Sequence, residues 1–360
     1  MGVCVIGPMP PPYHGMSAMN EAVVQALRAE GVPVTVFNTS PTLLNQNGIL
    51  AKLSRMGRIG TAIWRTGKQV RESGDTIYIS PSSGPWLICE AFIAWRARRA
   101  HAHVVVHHHS FRYLTSPYWP MRWFVKSAGS GACHVTLCQC MCELLDKLYP
   151  RIKHTLVMSN SALLTISSTT IPCNISGLKT IGFLSNISIN KGILEVLRLA
   201  EALLRSGNNI CFKIGGPFID KNIESLFRMR TKNLPNIEYA GPVYGDDKEQ
   251  FFNTIDAFIF PTSYHNEAEP LVILEALSHG CPVIAFDRGC IDSMLEEEYG
   301  IAIPVDADFA TVAMAKIIQW QKNPQTFLAA CNSALNRYRQ LQSESGTARA
   351  AFVDELRGKQ

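Results

Sequence analysis

The stretch HNEAEPLVILEALSHGCPVIAF, residues 265–286, combines a helical pattern with a buried-strand pattern directly after it. Pro270 fits the first helical position, and leucines at three-residue spacing add an apolar stripe behind it (Leu271, Leu274, Leu277). Gly280 can end the helix in a left-handed conformation, and the apolar run Pro282–Phe286 follows. A helix that feeds an apolar strand is typical of α/β proteins with parallel sheets.

The same alternation of short apolar runs and helical patterns extends along the whole chain. It predicts two groups of strands, separated by the Ser/Thr-rich connector 164–177. The first group is Val3–Ile6, Val34–Phe37, Thr76–Ile79, Val104–His107, Val135–Leu137 and Thr155–Met158. The second is Thr180–Leu184, Ile210–Ile214, Ile237–Ala240, Ala257–Phe260, Pro282–Phe286 and Ile301–Ile303. The predicted fold class is therefore α/β, with two Rossmann-like doubly wound parallel-sheet domains that face a central cleft.

Composition excludes several other classes of protein. The chain has 360 residues, of which 47% are hydrophobic and 18% charged, so it is long enough for two folded domains and shows no sign of disorder. No apolar run approaches the length of a membrane span. The N-terminus lacks the basic start and apolar core of a signal peptide, which predicts a cytoplasmic location.

Positive charge is concentrated in the first half of the chain. Residues 1–165 hold 16 Lys and Arg against 7 Asp and Glu, whereas the rest holds 18 against 22. Basic and apolar residues alternate between Ile49 and Arg71, and Arg96, Arg98 and Arg99 lie close in sequence to the aromatic run Tyr118–Phe124. Such faces predict peripheral contact with an anionic membrane or an anionic acceptor. The alternative is a solvated helix face; no nucleic-acid-binding motif accompanies the charge.

Two glutamates bracket the start of the helix in the opening stretch. Glu267 is expected in the loop before the helix and Glu275 within it, eight positions later. The unpaired N–H groups and positive dipole end of a helix attract phosphate. A diphosphate held there leaves one carboxylate for hydroxyl groups on either side, so the pattern predicts a ligand clamp. The alternative is a surface loop and a half-buried helix with incidental acidic residues.

Histidines and cysteines raise the question of a metal site. The strand at Val104 ends in His107, His108 and His109, at a carboxyl end where open α/β sheets bind ligands. Adjacent strand residues point to opposite faces, so the three histidines cannot all converge on one ion. The run from Cys138 to Cys142, near His134, lacks the spacing of a zinc knuckle. The pattern therefore argues against a metal here, and a histidine at this edge either faces a ligand or is a satisfied structural histidine.

Together these motifs resemble the retaining glycosyltransferases of family four. That family has the GT-B fold and a Glu-x7-Glu signature, which Glu267 and Glu275 match. The glycine-bearing first loop with Gly15, His109, the Lys191-Gly192 turn and two later glycine turns follow in the family's order across nearly the whole chain. The first loop lacks the glycine pattern of a dinucleotide-binding fingerprint, which argues against a dehydrogenase.

The resemblance implies roles for individual residues. Glu267 and His109 would contact the donor sugar, Glu275 the nucleotide ribose, and Lys191 the diphosphate. The predicted catalytic residues are Glu267, His109 and Lys191. The predicted donor-binding residues are Gly15, Asn186, Gly215, Gly216, Val243, Glu267, Ala268, Glu269, Pro270, Leu271, Val272 and Glu275. The family commonly has Arg at the position of Asn186, so one cationic contact is absent there, and Arg288 is a candidate to replace it.

The predicted function is transfer of a sugar from a nucleotide diphosphate sugar to an acceptor hydroxyl with retention of configuration. Residues 1–165 would bind a glycan or lipid-linked glycan acceptor, with a C-terminal helix at about 340–360 crossing back to them, and residues 177–339 would bind the donor. No cofactor or metal is expected, because lysine and the helix dipole replace a cation. Bacterial surface polysaccharide assembly is the implied context. The alternatives are a non-catalytic partner protein of the same fold and a nucleotide-sugar epimerase.

Overall fold

The computed structural model describes residues 2–40, 57–58, 60–61, 75–164 and 177–358. The chain divides into two compact units. The first comprises Met1–Leu164 together with Gln342–Gln360, and the second comprises Thr165–Leu341. The basic and apolar stretch Ile49–Arg71 lies almost wholly outside the described residues, so its predicted amphipathic helix stays a prediction.

The first unit is built on a parallel six-stranded sheet of order β2-β1-β3-β4-β5-β6. The strands are β1 (Val3–Gly7), β2 (Val34–Asn38), β3 (Thr76–Ile79), β4 (Val104–His107), β5 (Cys133–Thr136) and β6 (His154–Val157). The helices of its described part are α1 (Gly15–Ala29), α2 (Leu87–Arg99), α3 (Trp119–Ala128) and α4 (Gln139–Leu148), with a 3₁₀ turn at Asn160–Ala162. Four strands, β1, β3, β4 and β5, are fully buried, as expected of a sheet covered on both faces.

The second unit has a parallel six-stranded sheet of order β12-β11-β10-β7-β8-β9. The strands are β7 (Thr180–Leu184), β8 (Cys211–Gly215), β9 (Ile237–Gly241), β10 (Ala257–Phe260), β11 (Val283–Phe286) and β12 (Gly300–Ile303). The helices are α5 (Ile193–Arg205), α6 (Lys221–Thr231), α7 (Asp246–Asn253), α8 (Leu271–Ser278), α9 (Ile291–Met294), α10 (Phe309–Lys322) and α11 (Pro324–Leu356). Residues from Gln342 onward, the last part of α11, belong to the first unit.

Local chemistry explains how the first helix begins and ends. His14 caps α1 by accepting from the Ser17 amide, and the Ser17 hydroxyl accepts from the His14 amide in return. Val23 and Leu27, four positions apart, point into the core. The chain leaves the helix through Gly31, whose φ of 72° suits glycine. The helix therefore points its N-terminus at the carboxyl end of β1.

All twelve predicted strands are confirmed, and their ends shift by two residues at most. One correction concerns the start of α8. Pro270 is the cap residue and not the first helical residue, because its ψ of 122° is extended and only its carbonyl joins the helix. Gly280 has the expected left-handed conformation, with φ of 68°. Among the described residues, no helix is both long enough and apolar enough to cross a membrane.

Candidate active site

A half-buried ion pair lies where β10 ends. Glu267, in the loop between β10 and α8, accepts hydrogen bonds at Oε2 from Lys191 Nζ at 2.5 Å and from Thr262 Oγ1 at 3.0 Å. The Lys191 ammonium also lies 4.9 Å from the centre of the Tyr264 ring. The side chain of Glu267 is only 11% exposed, so water screens the pair weakly. Lys191 and Glu267, which the sequence predicts as site residues independently of each other, are thus in direct contact.

A glycine turn holds Lys191 in this position. Gly192 has φ of 89°, and a Cβ added there would lie 2.0 Å from the carbonyl oxygen of Pro261, just after β10. Only glycine allows the turn after β7 to pack so closely on the chain after β10. Ser263 adds a backbone hydrogen bond to Asn190 at 2.9 Å. Backbone packing therefore sets the distance between Lys191 and Glu267.

Glu275 lies in the middle of α8, and only one of its two carboxylate oxygens has a hydrogen-bond partner among the described residues. Its Oε1 accepts from the ammonium of Lys248, which belongs to α7. Its Oε2 is buried and has no hydrogen-bond partner among the described residues. A buried carboxylate oxygen without a donor is costly, so this atom is suited to a ligand hydroxyl. Sequence reasoning missed Lys248, because nothing local to α7 indicates that it reaches Glu275.

The loops after β7 and β8 also pack tightly together. Gly216 has φ of 114°, and a Cβ there would lie 1.8 Å from the carbonyl oxygen of Ser185. Gly215 leaves room for the Val243 side chain, which would lie 3.1 Å from an added Cβ. Val243 is itself buried, so its side chain packs under these loops, while Asn186 is exposed above β7. The predicted residues of these three loops therefore lie together in one unit.

The start of α8 presents backbone N–H groups without a side-chain cap. Ala268, Glu269 and Pro270 are buried, Leu271 and Val272 are half-buried, and no described side chain caps the helix. The loop after β11 packs on this segment, because the amide of Cys290 donates to the carbonyl of Ala268 at 2.8 Å. These contacts fix the helix start at the carboxyl end of the sheet, where anions bind to helix N-termini.

Arg288 precedes Gly289, which packs against the backbone of Glu267 before α8. A Cβ on Gly289 would lie 2.4 Å from the carbonyl oxygen of Glu267, so the loop after β11 packs directly against the backbone of Glu267. Arg288 is half-buried, and its Nε has no hydrogen-bond partner in the described part of the chain. Arg288 thus belongs to a loop that packs on the Glu267 backbone, and its role as a substitute for the arginine absent at Asn186 stays a prediction.

The predicted residues of the first unit are His109 and Gly15. His109 follows β4, and Gly15 opens α1, which follows β1. Burial, with a smaller contribution from His14, lowers the pKa of His109 to about 3, so its imidazole is neutral at physiological pH. Its Nε2 is buried and lacks a partner among described atoms. A neutral imidazole with an unused nitrogen can position a hydroxyl but cannot donate a proton as an imidazolium.

The neighbouring histidines belong to the core. His107 bonds to the hydroxyl of Tyr78 at 3.0 Å, and its ring centre is 4.1 Å from that of His109. His108 points the other way, to Tyr113 at 3.0 Å and to His134 at 2.9 Å. As the sequence predicts, the three side chains do not converge on one point.

A family model covers most of the second unit. Residues 178–336 match the family described as "Glycosyl transferases group 1". This match lies within the second unit and covers less than half of the chain. Sulfoquinovosyl transferase SQD2 of Arabidopsis thaliana is 30% identical over 118 residues, which are 33% of this chain and 20% of that protein. The chain thus spans about a fifth of the length of this curated relative.

Solved structures resemble the whole chain in fold. Alr3699/HepE of Anabaena, in complex with UDP and glucose, aligns with a TM-score of 0.68 and 16% identity over 98% of this chain and 99% of that one. Sucrose-phosphate synthase of Thermosynechococcus elongatus aligns with a TM-score of 0.74 and 14% identity over 100% of both chains. The fold is therefore that of GT-B glycosyltransferases, with two Rossmann-like domains.

Proposed function

We propose that this protein is a retaining glycosyltransferase of family four, which moves a sugar from a nucleotide diphosphate sugar to an acceptor hydroxyl. The orphaned Oε2 of Glu275 carries the proposal, because it is a buried acceptor one helix turn or more inside a helix whose N-terminus is suited to phosphate. A ribose hydroxyl would satisfy it while the diphosphate lies at the start of α8. The group 1 domain match supports this assignment.

Three positive features surround the expected diphosphate position. They are the N-terminus of α8, the ammonium of Lys191, and Arg288, whose neighbour Gly289 lies against the Glu267 backbone. The diphosphate gains negative charge as the glycosidic bond breaks, so these groups stabilise the transition state more than the bound donor. We propose that they replace a metal ion, which makes the reaction metal-independent and leaves no need for another cofactor.

The ion pair between Lys191 and Glu267 must rearrange when the donor binds. Lys191 would turn from Glu267 to the diphosphate, and Glu267 would then accept hydrogen bonds from the hydroxyls of the donor sugar. Thr262 keeps one bond to Glu267 throughout, so the carboxylate stays oriented. The pair therefore compensates two charges in the absence of donor and separates them to bind it.

Retention of configuration is proposed without an enzyme nucleophile. The departing diphosphate oxygen takes the proton of the acceptor hydroxyl on the same face of the sugar, and the new glycosidic bond forms there. The protein contributes positioning and electrostatic stabilisation. His109 fits a positioning role on the donor sugar, because its lowered pKa keeps it neutral.

The acceptor is proposed to be a glycan or a lipid-linked glycan, approached from an anionic membrane. Helices α2 and α3 together expose Phe92, Trp95 and Trp119, and the rings of Phe92 and Trp123 meet edge to face at 4.9 Å. The basic residues of these two helices are Arg96, Arg98, Arg99, Arg122 and Lys126. Aromatic rings with flanking arginines suit the interface of an anionic bilayer. This surface supports peripheral association on the inner face of the cytoplasmic membrane and a role in surface polysaccharide assembly.

The membrane proposal is tested by cosedimentation with vesicles. The protein should bind vesicles that contain anionic phospholipid and release them at high salt, since screening weakens the attraction. Arg99→Ala combined with Trp119→Ala should weaken binding at least fivefold, whereas Arg205→Ala combined with Met229→Ala, a basic and an apolar exposed residue of the second unit, should not. Equal binding by neutral and anionic vesicles, or by both variants, would contradict it.

The donor proposal is tested by thermal stabilisation with UDP, GDP and ADP and their sugars, with and without EDTA. UDP is the first choice, because the similar Alr3699/HepE structure contains UDP. One nucleotide should raise Tm, EDTA should not remove the shift, and Glu275→Gln should reduce it. Glu249→Gln, one residue from Lys248 but exposed, is the matched control. No shift with any nucleotide would refute the donor site.

Product analysis separates the remaining alternatives. Transfer with retention gives a product of the same anomeric configuration as the donor, which NMR of the product reads directly. A nucleotide shift without transfer to any acceptor would favour the non-catalytic partner protein, for which the exposed Asn186 is the supporting observation. Interconversion of the donor sugar without an acceptor would favour the epimerase.

A further inference from the structure

A cluster of metal-ligating side chains lies in the first unit, away from the residues discussed so far. Cys133 Sγ, a nitrogen of His154 and a carboxylate oxygen of Glu355 all lie within 4.8 Å of one another. His154 Nε2 is 3.3 Å from Glu355 Oε1. His103 Nε2 is 2.9 Å from the other oxygen, Glu355 Oε2. The cysteines from Cys138 to Cys142 are not part of this group.

Sheet register explains why these side chains meet. Cys133 opens β5 and His154 opens β6, and the two residues pair directly. Val105 of β4 also pairs with Cys133, so His103, two residues earlier, lies on the same face of the sheet. All three therefore lie on one face at the amino edge, opposite to the carboxyl edge that holds His109. Glu355, near the end of α11, covers this face.

Cys133, His154 and Glu355, with His103 bonded to Glu355, offer donors of the kinds found in tetrahedral zinc sites. One thiol, two imidazoles and one carboxylate supply the sulfur, nitrogen and oxygen ligands that Zn²⁺ prefers. Cys133 is buried, whereas His154 has a half-exposed side chain, so the cluster opens to solvent on one side. Exposure of His154 provides an entry path for an ion, and its ring can turn without disturbing the core.

We propose that Cys133, His154 and Glu355, with His103 as the fourth ligand, bind a divalent transition metal of the zinc class. On binding, the thiol of Cys133 gives up its proton to solvent, and the two histidines turn from the carboxylate toward the ion. The ligand atoms of Cys133, His154 and Glu355, now within 4.8 Å of one another, move to the distances of direct ligands around one ion, and His103 turns in beside them. The site is structural, because four protein ligands leave no open position for a substrate.

The proposed ion would link the end of the chain to three strands of the first sheet. Residues 342–360 are separated in sequence from the rest of their unit by the whole second unit, and Glu355 is the ligand that they contribute. Without metal, Glu355 of this segment bonds to His103 at 2.9 Å and lies 3.3 Å from His154. Metal binding should therefore raise the melting temperature of the protein and leave donor binding unchanged.

The test uses tag-free full-length protein stripped with a chelator and then titrated with Co²⁺ and Zn²⁺. Cobalt should bind at one ion per chain and give the near-ultraviolet charge-transfer absorption of a thiolate ligand together with tetrahedral visible bands. Cys133→Ser should abolish the charge-transfer band. Cys211→Ser is the matched control, because Cys211 also opens a strand and is a free thiol but lies in the second unit. Zn²⁺ should raise Tm of the wild type and of this control.

A second variant keeps the test valid if Cys133→Ser fails to fold. His154→Gln changes a half-exposed side chain, so it should fold, yet it should bind metal at least tenfold more weakly and lose the Zn²⁺-dependent rise in Tm. The absence of stoichiometric cobalt binding by the wild type would overturn the proposal. So would a charge-transfer band that survives in Cys133→Ser and disappears in Cys140→Ser. Nucleotide binding by His154→Gln, expected to equal the wild type, keeps this result separate from the donor site.

Discussion

Both sheets are parallel and six-stranded, but their carboxyl ends carry opposite chemistry. In the first unit, β4 ends in histidines whose pKa burial lowers; His107 bonds to Tyr78, and His108 bonds to Tyr113 and to His134 of β5. In the second unit, the loops after β7 and β10 meet in the ion pair of Lys191 with Glu267, and α8 and α7 meet in that of Glu275 with Lys248. The carboxyl end of the first sheet, here called the first edge, therefore carries neutral histidines, whereas that of the second sheet, the second edge, carries two ion pairs.

This difference shows that a doubly wound sheet fixes where a site lies but not what it binds. Neutral imidazoles and hydroxyls offer hydrogen bonds to sugars and acceptors without attracting a diphosphate. Paired lysines and carboxylates, held by glycine turns, suit a charged donor that can exchange one partner for another. Under the proposed function, the first unit would supply uncharged groups for the acceptor and the second unit charged groups for the donor.

The largest expected effect is on the pH dependence of stability. Burial lowers the pKa of His107, His108, His109 and His134, the last two to about 3, so the unfolded chain binds protons below about pH 6.5 that the folded first unit does not. The free energy of unfolding should then fall with falling pH by up to about 1.4 kcal/mol per histidine and pH unit, until the folded pKa values are reached.

Urea unfolding at pH 7 and pH 5 measures this loss. Tryptophan fluorescence reports mainly the first unit, which contains every tryptophan of the chain except Trp320. His134→Gln should remove about one proton from the slope, because it removes one of the four groups. Equal unfolding free energies at the two pH values would show that the first edge is not the uncharged environment described above.

The next effect concerns the cation of the second edge. Lys191→Ala should lower kcat by about 10²–10³-fold, because it removes a positive charge from the leaving diphosphate. Lys213→Ala is the matched control, since Lys213 also lies in the second unit and pairs with a glutamate, Glu238, at 3.6 Å. Steady-state kinetics should show no change for the control. A Lys191→Ala enzyme of normal kcat would assign the lysine to stability alone.

The third prediction compares how much stability is lost when a glycine near each sheet edge is replaced by alanine. Gly192→Ala should lower the free energy of unfolding by at least about 2 kcal/mol, because its φ is left-handed and the new Cβ meets a backbone carbonyl. Gly15→Ala should change stability by less than about 1 kcal/mol, since nothing lies within 4 Å of the new Cβ. Thermal denaturation of both variants compares them. Similar losses would mean that the second edge is no more tightly packed than the first.

The smallest effect is expected at Asn186. Asn186→Arg adds a cation at an exposed position above β7, so the affinity for the donor should rise about two- to fivefold, as exposed ion pairs contribute only about 0.5–1 kcal/mol. Asn186→Gln, which adds length without charge, should leave affinity unchanged. Calorimetric titration with the nucleotide compares the two. Unchanged affinity of Asn186→Arg would indicate that another cation already fills the role, and weaker binding would contradict the assignment of position 186 to the donor site.

The strands could be predicted from short sequence patterns. Apolar runs between turn residues predict every strand, because a buried strand appears in the sequence as a short run of neighbouring apolar residues. The least accurate bounds are those of β5, which begins at Cys133 and not at Val135. Cys133 and His134 are not a typical strand start, and only their pairing with β4 and β6 makes them one.

The sequence by itself determined the α/β class, the twelve strands, and the placement of Glu267 before a helix and Glu275 within it. Only the tertiary structure decided which groups meet. Lys191 and Glu267 are 76 positions apart, Lys248 and Glu275 are 27 apart, and His103 and Glu355 are 252 apart. Periodicity is a property of neighbouring residues, whereas these contacts depend on strand order, register and the close approach of loops at glycines. The chemistry of both sheet edges therefore emerges only when the strands are assembled.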